Sequence, residues 1–185
     1  MPKLTRAAIR ARRCRRCKDR VAGIEGDSGG RGTGEESIAP IIPQACNDND
    51  KMTDEEFLYA FEGATLPRTE WTHEAHVRMG YLSLCRMPLP EAIGYARERI
   101  LAYNRAQGNF TGYHETITIA FLHHIAKRMR DNDEGKWESF RVAHAELIAR
   151  GMEILLQNYT RDALFSHEAR SAFLAPDIAQ LPEAS

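Results

Sequence analysis

The sequence predicts an all-α protein, a compact bundle of five or six helices with a disordered N-terminal segment. Three observations lead there. From Met52 onward, apolar residues recur at three-to-four spacing, the period of a helix face turned to a core. No stretch alternates apolar and polar residues with the period of two that a half-buried strand requires. The breaks "GATLP", Pro88 and "QGNFTG" fall between the periodic stretches.

A first helix is expected over 53–62, with Phe57, Leu58 and Phe61 facing inward. Thr53 and Glu56, three apart, have the spacing of a capping box. The second, 73–87, starts after Thr72 as N-cap and carries Val77, Gly80 and Leu84 along one stripe. Pro88 stops it, and Pro90 suits the first turn of a third helix, 90–107, whose core face is Ile93, Ala96, Ile100 and Leu101. A fourth covers 113–130 through Ile117, Phe121, Leu122, Ile125 and Met129. After "DNDEG" a fifth spans 136–150 through Phe140, Ala143, Leu147 and Ile148, with a helical continuation over 152–158. "YTRDALFSHEARSAFLAPD" then predicts two short helical turns and an extended end.

Residues 1–51 read differently. "AAIRARRCRRCKDR" is dense in arginine and "GIEGDSGGRGTGEES" in glycine and acid, with too little apolar surface to offset the entropy of ordering. Disorder is the expectation there, with 52–185 as a single helical domain. Cys14 and Cys17 form a CxxC, half of a zinc site without two further ligands at suitable spacing. The capping box after Met52 makes that methionine a candidate natural start, with 1–51 an over-extended segment.

Composition narrows the function. The chain has 185 residues, 43% hydrophobic and 28% charged, in the range of a soluble globular protein. It holds no apolar run of transmembrane length and no secretory signal, so a cytoplasmic setting with reduced thiols is expected. Residues 1–51 carry 11 Lys and Arg against 7 Asp and Glu, leaving 14 against 19 for the rest. An acidic body argues against nucleic acid as its main partner. No membrane partner is expected, and the oligomeric state is open.

The chemistry-bearing residues cluster in two motifs. In "EWTHEAHVRMG", His73 and His76 share a face with Val77, Gly80 and Leu84 at about 100° per residue. In "GYHETITIAF", His114 shares one with Thr118, Phe121 and Ile125, beside Glu115. If the two helices are neighbours, three imidazoles and a carboxylate converge near their N-terminal ends. That set suits a divalent transition metal (zinc, iron, manganese or nickel) with His73, His76 and His114 as ligands and Glu115 as fourth ligand or general base. The alternative is that each histidine stays neutral in the core with a local partner. Tyr113 and Arg170 are candidate substrate-binding residues, and packing and a surface ion pair are their plainer readings. Trp71 fits a staple at the start of the second helix, and Glu70 a supporting carboxylate or a solvated loop residue. His123 and His124, roughly 14 Å further along the fourth helix, lie too far away to join. No HExxH occurs, and no paired Glu-x-x-His.

"EWTHEAHVRMGYL", "NRAQGNFTGYHETIT" and "LFSHEARSAFLAPDIAQLP" resemble a family of small bacterial α-helical proteins marked by W-T-H-x-x-H, G-Y-H-E-T-I-T and an S-x-E-A-R…P-D…L-P tail. The resemblance covers about Glu55 to Pro182. It implies that His73, His76, His114, Glu115 and Arg170 are motif positions, and it carries no reaction with it. Two functions follow as expectations. One is a metal-dependent enzyme of hydrolase or lyase type acting on a small molecule. The other is a non-catalytic helical module that binds a ligand or partner, its histidines structural.

Overall fold

The first helix opens as the capping box dictates. The Thr53 hydroxyl accepts from the Glu56 amide, and the Glu56 carboxylate accepts from the Thr53 amide at 2.9 Å. A computed structural model describes residues 52–131 and 135–183. The expected disorder of 1–51 and the CxxC lie outside the described residues.

Those residues are all-α, with nine helices and no strand among them. In chain order they are α1 Asp54–Glu62, α2 His73–Arg86, α3 Leu89–Ala106, α4 Glu115–Asp131, α5 Trp137–Ala143, α6 Ala145–Ala149, α7 Gly151–Leu155, α8 Arg161–Leu164 and α9 His167–Ser171. None of them is long and apolar enough to cross a membrane.

The three long helices α2, α3 and α4 pack on one another and form the frame. Their shared core holds Val77, Tyr81, Ile100, Tyr103, Leu122 and Ile125, all buried, with Phe57, Leu58 and Phe61 of α1 closing one end. Gly80 lets α2 approach α4: a Cβ there would lie 2.9 Å from Ile125 Cδ1 and 3.3 Å from Leu122 Cδ2. α4 starts at Glu115 rather than at 113, so Tyr113 and His114 precede it.

The expected helix 136–150 is divided. His144 (φ −124°, ψ 41°) and Arg150 (φ −132°, ψ 29°) leave helical geometry, separating α5, α6 and α7. α5 and α6 both pack on α2, whereas α7 packs on α4, and one straight rod could not serve both surfaces. The extended end, 172–183, is fastened by side chains of the body. Thr116 Oγ1 donates to the Ala172 carbonyl, Tyr159 to that of Leu174, and Asn158 Nδ2 to those of Ala179 and Gln180, each at 2.9 Å.

Candidate functional site

Thr72 starts the site. Its hydroxyl accepts from the Ala75 amide and begins α2, placing His73 and His76 in the first turn on the side facing α4. Its carbonyl lies 2.6 Å from His76 Nδ1. A carbonyl only accepts, so Nδ1 carries the proton and the lone pair of the neutral ring sits on Nε2. Burial pushes the His76 pKa below its usual 6.5; the Thr72 carbonyl opposes this and nearby His73 adds to it. His76 is therefore neutral at pH 7. Trp71, preceding the cap, lies 3.9 Å from the His76 ring and 4.4 Å from Phe61, the staple expected at this boundary.

His73 is fixed from the other direction. Its Nε2 donates to the Leu147 carbonyl at 2.9 Å, and the edge of Phe121 lies 5.1 Å away, centre to centre. Gly151 leaves the room this needs, since a Cβ there would lie 2.6 Å from His73 Nε2. His73 and His76 line a cavity of about 260 Å³ between α2 and α4. Its walls are mainly apolar, with Val77, Gly80, Ile117, Phe121, Leu122 and Ile125 among them.

His114 and Glu115 are not part of this lining. His114 lies one residue before α4, and its Nδ1 accepts from the Ile117 amide at 3.4 Å, as a capping group does. A residue outside the helix need not follow the helix's angular phase, which is why the expected convergence with His73 and His76 fails. His114 is buried, its pKa lowered chiefly by that burial and also by Arg170, while the Leu164 carbonyl favours the charged form. Its Nε2 is buried without a hydrogen bond among the described residues.

Glu115 turns to α3 instead. Its carboxylate accepts from Arg97 Nε, 3.0 Å from each oxygen, from Arg97 Nη2, and from the Tyr113 hydroxyl at 2.7 Å. The Arg97 guanidinium holds its carboxyl below the usual range against the opposing effect of burial. Tyr113 is thereby a structural partner, its phenol pushed up by burial and by that carboxylate. Arg170 reaches neither cavity nor Glu115; its Nη1 donates to the carbonyls of Thr111 and Tyr113, bracing the loop before α4.

Both His73 and His76 have one ring N–H held by a backbone carbonyl, the orientation common in metal-bound imidazoles. Two donors do not complete a three-ligand centre. Among the described residues no group of three His, Cys, Asp or Glu is placed to share an ion. The other histidines have separate duties. His124 Nε2 meets Asn158 Oδ1 at 2.9 Å in the interior, and His123 Nδ1 donates to the Pro182 carbonyl.

A second cavity of about 260 Å³ was not legible in the sequence. Arg68, Trp71, His76, Tyr103, Asn104 and Asn109 are among the residues around it, so His76 belongs to both cavities. The only signal was the polar run "NRAQGNFTG", which reads as a helix end and a loop. Comparison with protein-family models, curated proteins and solved structures finds no match for the chain.

Proposed function

We propose that the protein binds a small molecule whose apolar part occupies the cavity between α2 and α4, with His73 and His76 supplying the polar atoms at its margin. One observation carries this reading: the mainly apolar cavity contains a neutral imidazole whose tautomer is set by the Thr72 carbonyl. A ligand pocket combines apolar walls with a few fixed polar groups, and this one does so. What supports the ligand-binding expectation over the metal-dependent enzyme is that neither His114 nor Glu115 lines this cavity and that Glu115 is held by Arg97.

Naphthalene is a suitable probe, titrated into protein carrying labelled Ile and Leu methyl groups and followed by NMR. Saturable shifts confined to Ile117, Leu122 and Ile125 are expected, and they weaken when Ile117→Phe narrows the cavity. Shifts scattered over the core, or none, overturn the reading.

A further inference from the structure

We infer that the second cavity is the seat of a carboxylate, so that the ligand is an amphiphilic monocarboxylic acid with its head beside Arg68 and Asn104 and its tail past His76. The tail rests on the function proposed above; the head rests on separate observations.

Asn104 is the first of them. It is 5% exposed, lies in the last turn of α3, and lines this cavity. Its side-chain amide meets no hydrogen-bond partner among the described residues, although its backbone carbonyl accepts from the Asn109 amide. The amide opens into the cavity, so a group entering there can bond it directly.

Arg68 is the second. Arg68 lines the same cavity, and no ion pair to a carboxylate holds it among the described residues. No Asp or Glu is among the lining residues, so the cavity has a positive charge and no negative one. Glu70 acts on Tyr103 from outside that lining. A single guanidinium matches a planar monoanion through two parallel N–H bonds, and one cation suits one negative charge better than a dianionic phosphate.

Three of the other walls are already engaged. Tyr103 donates its hydroxyl to the Leu66 carbonyl at 3.0 Å, Gln107 its amide to that of Ala64 at 3.2 Å, and Trp71 is stacked on Phe61. Arg68, Asn104 and Asn109 thus keep side-chain donors open to a ligand in this cavity. His76, common to both cavities, would stand beside the carbons that follow the carboxylate.

The test uses the full chain and four probes of one shape class: 3-phenylpropionate, 3-phenylpropionamide, 3-phenylpropanol and phenyl phosphate. Calorimetry gives affinities and methyl NMR gives placement. The acid is expected to bind roughly tenfold or more tighter than the amide and alcohol, and Arg68→Met to remove that advantage while leaving the alcohol unchanged. Arg68 is exposed, so this variant keeps the fold; Asn104→Asp, which adds an opposing charge, is expected to weaken the acid further. Equal affinities for acid and amide, tighter binding of the phosphate, or an unaltered acid affinity in Arg68→Met overturns the carboxylate. If acid and alcohol then still shift the Ile117 and Ile125 methyls alike, the apolar site stands without the head group. An Arg68-dependent acid that leaves those methyls unmoved supports the head site and overturns the tail.

Discussion

Replacing Arg97 with methionine tests whether Glu115 is a structural anion rather than a catalytic one. Methionine keeps an apolar stem on α3 but leaves the carboxylate, on a residue 5% exposed, with the Tyr113 hydroxyl alone. Breaking an enclosed ion pair from one side costs about 3–5 kcal/mol. The Arg97 side chain is 46% exposed, so water reaches it and the expected loss at pH 7 falls to roughly 2 kcal/mol. The pH dependence has a definite sign. In the parent, Glu115 titrates below its usual 4.5, so the stabilisation is complete above that value and fades as the pH falls through the lowered pKa. Without Arg97, burial dominates and raises the pKa, so acid relieves the penalty instead. The gap between the two proteins is therefore widest near neutrality and narrows as the pH approaches 4. Urea unfolding followed by circular dichroism at a series of pH values measures it. A loss below about 0.5 kcal/mol at pH 7, or a gap that does not change with pH, refutes the assignment.

Two glycines offer a paired comparison. Gly94→Ala on α3, with nothing within 4 Å of the added methyl, is expected to raise stability by about 0.5–1 kcal/mol through helix propensity and a less disordered unfolded chain. Gly151→Ala forces apart His73 and Phe121, whose atoms lie 2.6 and 2.8 Å from the new Cβ, and is expected to lower stability by about 1–2 kcal/mol; urea midpoints that rise in both variants contradict the packing described for His73. Acid acts through the interior histidines. His114 and His124 have pKa values lowered chiefly by burial, so the unfolded chain takes up their protons first and stability falls as the pH drops below about 6.5. The slope is at most about 1.4 kcal/mol per pH unit for each, and denaturation midpoints that stay flat between pH 7 and pH 5 count against their burial in neutral form.

Local signals were the readable part of this chain. Thr53 with Glu56, and Thr72 ahead of His73, act over three residues, and the structure bears out both caps. The division of 136–150 was not readable, because it follows from which neighbours α5, α6 and α7 find in space. The candidate residues divide for a related reason, with neither His114 nor Glu115 lining the cavity that His73 and His76 share. His73 and His76 lie within α2, where the helical phase holds, whereas His114 lies one residue outside α4 and caps it. Arg68 and Asn104 line one cavity across 36 positions of sequence, and no spacing rule joins residues so far apart. The deeply buried Tyr103 and Tyr159 were likewise passed over, because their hydroxyl partners are set by tertiary contact.

The fastening of 172–183 has a kinetic consequence. Thr116 and His123 come from α4, Asn158 and Tyr159 from the turn after α7, so the segment is gripped along its full length only once those two regions have met. The final stretch makes few bonds of its own, so it should be a late arrival during folding and the first part to let go. Amide exchange at Leu174 and Ile178, which donate to Thr116 Oγ1 and to the Asn158 carbonyl, would then report the latching of this segment separately from the melting of the bundle beneath it.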